Sequence, residues 1–533
     1  MSHRAELRLG TWKVRLAGIL LVAATAYYLP WLVRNLNWRA PWLSLPFAAA
    51  SLLTSAVALV TVHNHWRYSV PEERVLPSLH TPTVAVVIPT FGEPPSMVYE
   101  TCRSVLTQDY PEENMWLVLS DDGHRASIRA VALQLQREHP KAYITYHEPP
   151  RRGDPRRRGD AKAGNLNSVL DAMQTWPVWV PFVETRDADD RVGDPQFLRK
   201  VLGQLVAEPK VAFVQTVKEA EVSPGDPFGN LEPLFYHRAM LAKNSANAVF
   251  PCGSGLVWRR EALEEIGGFP TWNLVEDLQS GVEALRRGWR GLYLPIVGAV
   301  GQSAPEDIPN TVKQRGTWAI DTMRLSFWGE RRGLSLSQHL QFSELGLFYL
   351  QGFAILVFAI TPLFALLAGV YPIAATPGAY FRHLGPYVGA IELLLLCLAD
   401  GIPFQALWRA RQTWLGMAPV YVRATIIALQ FGPKRKPAYR VTRKEAVFRW
   451  HWRGTAFQLV LFVLLIGAMV YHAVTHAPAG SADAGSILWA GYFVVVLSRT
   501  VRNSWHGLGF RRAVLSLFGR ATAGPTQRRQ PVA

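Results

Sequence analysis

The chain has 533 residues, room for two or three domains, and 49% of them are hydrophobic, unevenly spread along its length. A net charge of +16 fits a membrane protein with Lys and Arg on its cytoplasmic side; no nucleic-acid recognition module accompanies it, which sets that class of partner aside. Cys102, Cys252 and Cys397 are odd in number and far apart, which argues against a disulfide framework or a metal-type spacing and suits a reducing compartment.

Read from the N-terminus, a basic start leads into an apolar run from Leu16 to Val33 with no small-residue cleavage site, and a second run follows. Two membrane spans, at 15–34 and 43–62, account for this better than a signal peptide. Residues 70–330 read as a soluble α/β unit. The continuous apolar run Val84–Pro89 predicts a buried parallel strand, followed by a helix from Ser96 to Thr107. Strands are expected at Trp116–Leu119, Val178–Val183 and Val211–Gln215, with helices at 126–138 and from Lys162 to Met173. This alternation implies a mostly parallel sheet covered on both faces, with ligands bound beyond the carboxyl ends of its strands. Amphipathic surface helices are expected over 321–343 and 408–430.

Four more windows, 344–370, 387–407, 455–474 and 485–500, are long enough to cross a hydrocarbon core about 30 Å thick. The 405–454 connection holds eleven Lys or Arg and one acid, Glu445, whereas 474–484 has no Lys or Arg and 371–386 has only Arg382. Basic residues mark the cytoplasmic side, so both termini, the middle unit and 405–454 are expected in the cytosol. Glu392 and Asp400 fall in an apolar window; they either line a polar path or sit near a span end within reach of headgroups.

The residues with chemistry fall at the expected strand ends. Phe91, Gly92 and Glu93 follow the first strand, and Asp121-Asp122-Gly123 ends the second; an aromatic with carboxylates there can stack on a base and accept its N–H groups, or be ordinary turn chemistry, and each alone is a weak signal. Lys162 opens a helix and can meet a diphosphate there. Upstream, Arg151, Arg152, Arg156, Arg157 and Arg158 read as a solvated basic loop. Asp187-Ala188-Asp189, one residue apart at a strand end, can share Mg²⁺ or Mn²⁺. Glu276 and Asp277 begin a helix with Asn273 as a candidate cap, either complementing its dipole or supplying a general base. Trp318 serves as core or as a flat floor for a sugar.

The order Thr-Phe-Gly-Glu-Pro (90–94), Asp-Asp-Gly (121–123), Lys-Ala-Gly-Asn (162–165), Asp-x-Asp (187–189), Val-Gln-Thr (214–216), Pro-Cys-Gly-Ser (251–254), Glu276-Asp277 and Gln-Arg-Gly-x-Trp (314–318) resembles bacterial cellulose synthase catalytic subunits. More broadly it resembles the processive family 2 glycosyltransferases, which include hyaluronan and chitin synthases. Pro437 to Lys444 is similar to the cellulose-synthase gating loop.

The resemblance implies a GT-A-type α/β domain inserted between about six transmembrane helices with interfacial amphipathic helices. The expected divisions are a two-span segment at 1–70, the catalytic domain at 71–330, a membrane region with the gating-type loop (about 431–450) at 331–520, and a disordered tail at 521–533. No counterpart of a PilZ-like regulatory domain is expected. The implied activity is inverting transfer from a UDP-sugar, with UDP-glucose favoured, onto a growing β-glucan that threads across the inner membrane; accessory export subunits are the further partners it allows. Asp121, Phe91 and Glu93 would meet the uridine, Lys162 and Gln215 the donor, and Asp187 with Asp189 the metal. Asp277, beside Glu276, would be the base. Cys252, Gly253, Ser254 and Trp318 would cradle the acceptor, with Gln314 and Arg315 as neighbours, and Tyr439, Val441 and Thr442 would close over the nucleotide.

This chain departs from the family pattern in three places: Thr317 stands where an Arg facing the diphosphate is expected, Val275 replaces a Thr, and Gly92 an Asn. Arg315 or Arg443 is the expected substitute cation. The Thr317 change also leaves open a differently linked (β-1,3) or non-glucose polysaccharide or glycolipid synthase, or a non-processive enzyme.

Overall fold

The computed structural model describes residues 3–78, 80–437, 450–475 and 481–506. Helices α1 (His3–Arg34) and α2 (Pro41–Asn64) lead into a sheet unit. This unit runs β1 (Val84–Thr90), α3 (Pro95–Leu106), β2 (Met115–Asp121), α4 (Ala126–Glu138), β3 (Tyr143–His147), α5 (Ala161–Met173), β4 (Phe182–Thr185), β5 (Asp190–Arg191) and α6 (Phe197–Ala207). It continues with β6 (Val211–Ala220), α7 (Met240–Lys243), β7 (Leu256–Arg259), α8 (Arg260–Glu265), α9 (Glu276–Arg286) and β8 (Arg290–Gly301). Then come α10 (Ile308–Trp328), α11 (Leu336–Ala368), α12 (Pro377–Leu398), α13 (Phe404–Gly416), α14 (Ala418–Gln430), α15 (Ala456–Thr475) and α16 (Ser481–Asn503).

The eight strands form one sheet in the order β3-β2-β1-β4-β7-β6-β8-β5. It is parallel across β3-β2-β1-β4 and between β6 and β8, while β7 and β5 run antiparallel to their neighbours. The continuous apolar run of β1 follows from its central place: Val84, Val86 and Ile88 pack with α3, α4 and α6, while Ala85 and Val87 face α5, Phe213 and Trp258 on the other side. The carboxyl ends of β1, β2 and β4 therefore open at one edge, where Phe91, Asp122 and Asp187 lie.

Six described helices are long and apolar enough to cross a membrane: α1 from Thr11, α2, α11, α12, α15 with the turn before it, and α16 from Asp483. Prolines 30, 46, 362 and 386 sit inside four of them; backbone groups freed by Pro in a bilayer helix are re-satisfied by neighbours.

Several sequence expectations shift. The strand expected at Val178–Val183 begins only at Phe182, because Pro177 and Pro181 cannot donate to a ladder. The single surface helix expected over 321–343 is broken after Trp328; α11 starts afresh with a capping box in which Ser335 and Gln338 satisfy each other's backbone N–H. Likewise 408–430 is two helices that meet at Met417, with Pro419 in the first turn of the second. The window 387–407 is the second half of α12 followed by a turn over Asp400–Pro403. Asp400 thus lies beyond a span end, paired with Lys13 at 2.9 Å, whereas Glu392 sits within α12, paired with Arg411 at 2.6 Å.

Candidate active site

At the end of β1 the Glu93 carboxylate accepts hydrogen bonds from the backbone N–H groups of Phe91 (2.8 Å) and Gly92 (3.1 Å), curling the loop so that the Phe91 ring stands half-exposed. Arg152 lies over that ring, 5.2 Å from its centre. The two acids of the next strand end part company. Asp121 is fully buried, with its oxygens taken by Thr90, by the Arg125 guanidinium and by the Arg125 N–H. It is Asp122 that faces the cavity, held by both terminal nitrogens of Arg157 at 2.6 and 2.9 Å. Arg157 is itself buried and donates to the carbonyls of Gly159 and Ala161, tying the loop to the start of α5. The basic run is therefore not wholly a solvated loop: Arg157 is interior, while Arg156 and Arg158 pair outward with Asp154 and Asp171.

Lys162, in the first turn of α5, donates to Asp187 Oδ1 at 2.5 Å and to the Gly253 carbonyl at 2.7 Å. Lys218 on β6, which the motifs did not single out, reaches the other Asp187 oxygen at 2.9 Å and Asp190 Oδ2 at 2.7 Å. Burial pushes the Asp187 carboxyl up, but the two ammonium groups more than reverse this and hold it well below the usual carboxylate range. Burial raises Asp190, and the neighbouring Asp187 and Asp189 charges add to that. Asp189 also lines the cavity and accepts from the Ser303 hydroxyl at 3.5 Å. Among the described residues no group of three His, Cys, Asp or Glu forms a ready-made cation cage. The all-oxygen pair Asp187 and Asp189 nevertheless fits Mg²⁺ or Mn²⁺, because such ions are commonly held by one or two carboxylates together with substrate phosphates.

Asn273 does not cap α9: its side chain binds the Leu274 N–H and the Asp321 carbonyl, and Val275 occupies the cap position. Asp277 accepts from the Leu278 N–H at 2.8 Å. Burial raises its carboxyl, which Lys162 only partly offsets; burial and the adjacent Asp277 push Glu276 up to about 8. Gly253, with φ at +82°, brings its backbone against both Asp277 and Lys162. Gln215 is fully buried away from the cavity, donating to the Ser254 carbonyl (3.0 Å) and accepting from the Cys252 N–H (2.7 Å). Ser254 is likewise buried and accepts from the Asp187 N–H at 3.1 Å. These two residues position the 251–254 turn, while Cys252 and Gly253 form its cavity face.

From α10, Gln314, Thr317 and Trp318 line the same cavity, with the Trp318 ring partly exposed to it. Arg315 does not offer the substitute cation expected of it, since its guanidinium is committed to Glu232 (2.8 Å) and to the Gly229 carbonyl (2.8 Å). Tyr439, Val441, Thr442 and Arg443 lie outside the described residues. The approach to that segment is fixed by Arg324, which donates to the carbonyls of Phe431, Gly432 and Arg435, and by Lys436 against Asp160 at 3.3 Å.

Phe91, Asp122, Lys162, Asp187, Asp277 and Trp318 line one cavity of about 1720 Å³. Beyond Trp318 it continues among the apolar helices past Phe348, Trp414, Tyr387 and Trp489, with Glu392 on its wall. It reaches Asn37, Trp38 and Tyr371 at the far ends of α1, α2 and α11.

A family description, glycosyltransferase like family 2, matches residues 82–320. Over most of its length the chain is similar to "Putative cellulose synthase 2" of Komagataeibacter xylinus (28% identical over 477 residues, 85% of this chain and 30% of that protein). It is also similar to "Cellulose synthase 2" of Novacetimonas hansenii (31% over 479 residues, 85% and 28%). A third relative is "Cellulose synthase catalytic subunit [UDP-forming]" of Komagataeibacter sucrofermentans (30% over 379 residues, 69% and 47%). The chain thus spans less than half the length of these curated relatives. Among solved structures, a mannosyltransferase from Pyrobaculum calidifontis in complex with GDP-Man and Mn²⁺ superposes with a TM-score of 0.51 at 21% identity, covering 72% of this chain and 99% of that one, a likeness of fold. Residues 82–320 match the description glycosyltransferase like family 2, and the chain that carries them between membrane-length helices is similar to bacterial cellulose synthase catalytic subunits.

Proposed function

We propose that this protein is a membrane-embedded inverting glycosyltransferase that elongates a β-linked glucan from UDP-glucose and passes it outward between its spans. The observation that carries this reading is the cavity of about 1720 Å³ running from Asp187, Asp277 and Trp318 to the far ends of the apolar helices. Its mix of carboxylates, ammonium groups and aromatic faces suits a charged donor at one end and a sugar chain along the rest. The basic residues of the 405–454 connection support a cytosolic placement of the globular domain at the inner membrane.

Phe91 offers a flat face for the base beside Asp122. Lys162 and the start of α5 meet the diphosphate. Asp187 and Asp189 would hold Mg²⁺ or Mn²⁺, which neutralises phosphate charge when bound. Asp277 takes the proton of the acceptor hydroxyl as that oxygen attacks the anomeric carbon, and the bond to the diphosphate breaks on the opposite side with inversion. Its raised carboxyl is the stronger base for that reason. Trp318 is the floor under the acceptor sugar.

The test is incubation of the purified protein in lipid with UDP-glucose and Mn²⁺, followed by UDP release and digestion of the product with linkage-specific glycosidases. A long product cut by β-1,4-specific enzymes is expected; a short glycolipid or a β-1,3 product selects the alternative that Thr317 leaves open. Failure to split any nucleotide-sugar in the presence of divalent ions would overturn the assignment.

A further inference from the structure

We propose that Lys218 is a second cationic holder of the donor diphosphate, acting with Lys162 on the leaving nucleotide; this rests on the nucleotide-sugar reading above. The two lysines grip the two oxygens of the same carboxylate: Lys162 Nζ is 2.5 Å from Asp187 Oδ1, and Lys218 Nζ is 2.9 Å from Asp187 Oδ2. Both are about three-quarters buried, and both line the cavity. They arrive from different elements, α5 and β6, so the charge is fixed by the scaffold rather than by a mobile loop.

An ammonium group has three N–H donors. Lys162 directs two to Asp187 and Gly253, and Lys218 pairs with Asp187 and Asp190, which leaves each a donor for a phosphate oxygen. Of the guanidinium groups around the donor end, Arg315 pairs with Glu232 and Arg157 with Asp122, while Arg152 lies over the Phe91 ring at the base end of the pocket. Position 317 contributes only a neutral hydroxyl to the wall.

In the transfer, the acceptor oxygen forms its bond to the anomeric carbon and gives its proton to Asp277. The bond from that carbon to the terminal phosphate oxygen breaks with its electron pair on the phosphate. The nucleoside diphosphate leaves with one more negative charge, and Lys218 and Lys162 meet that charge where it develops.

The experiment compares Lys218→Gln and Lys218→Arg in the full-length protein in lipid nanodiscs. It measures binding of UDP and of uridine without divalent metal, and turnover of UDP-glucose with Mn²⁺. Lys218→Gln should weaken UDP about tenfold or more, since a hydrogen bond to a charged group is lost. It should lower kcat on the order of 10²-fold, as for other single groups that meet developing charge. Uridine binding should stay unchanged, and Lys218→Arg should keep most of both functions. Equal weakening of UDP and uridine would make Lys218 a structural support and overturn the proposal, as would no weakening of either. If Lys218→Gln fails to fold, as judged by thermal melting, Lys218→Gln/Asp190→Asn removes the ion pair as a unit and carries the same expectation. Unchanged UDP binding in a variant of an active protein sinks this inference alone; an unmodified protein that binds no nucleoside diphosphate sinks the reading beneath it.

Discussion

Gly253 is the point where the proposed base and the diphosphate-facing lysine meet one stretch of backbone, so a single methyl group there tests the geometry. A β-carbon built at Gly253 would lie 2.9 Å from Asp277 Oδ2 and 3.1 Å from Lys162 Nζ. Ordinary contact needs about 3.5 Å, so Asp277 must withdraw by about 0.6 Å. A misplacement of about 1 Å can cost 10²-fold in rate, and half of that about tenfold. The substitution also imposes left-handed backbone strain of roughly 1–2 kcal/mol on a non-glycine residue. Gly288 separates the two effects, because its φ of +85° carries the same strain while nothing lies within 4 Å of its added carbon. In a UDP-release assay at saturating UDP-glucose, normalised to folded protein by thermal melting, Gly253→Ala should be about tenfold slower than Gly288→Ala. Equal rates for the two variants would show that Asp277 and Lys162 do not act where the structure puts them.

Three further outcomes are expected. Asp277→Asn removes the base and leaves the donor pocket intact, so turnover should fall by about 10²–10⁴-fold with UDP binding nearly unchanged; sustained turnover would reassign the base. The base works only when ionised, and burial raises the Asp277 carboxyl, so kcat/KM should fall on acidification while the pH is still well above about 3.9, where an ordinary aspartate titrates; a profile flat down to that value contradicts this. Asp189→Ala should raise the Mn²⁺ concentration needed for half-maximal rate, and full activity in excess chelator would contradict a metal at that carboxylate.

Much of the site was legible because chemistry and period coincided. The run Val84–Pro89 is apolar on both faces because both faces are covered, and the acids after the strands fall where parallel strands must end. Asp187, Asp277, Lys162 and Trp318 all line the same cavity. Choosing between Asp121 and Asp122 needed the strand's exact end: Asp121 pairs in register with Thr90 and turns inward, which sequence alone cannot fix to one residue. Arg315 was misjudged because its partner Glu232 lies 83 positions away. Lys218 carried no local signal beyond following Val-Gln-Thr by two residues on a strand that is buried up to Val217. The break between α10 and α11 is explained by a capping box that overrides a helical pattern running through it.

Helix α11 belongs to both halves of the molecule. Its first turns lock into the globular domain, where Gln338 donates to the Asn247 carbonyl at 2.7 Å and Gln341 accepts from Lys243. Its 33 residues make a rod about 50 Å long at ~1.5 Å per residue, against a hydrocarbon layer about 30 Å thick. This one helix thus connects the globular domain to the membrane-length helices. A helix meets a change in bilayer thickness by tilting, kinking or deforming the lipid around it, and any tilt of α11 would carry Gln338, Gln341 and the Lys243 wall they hold with it.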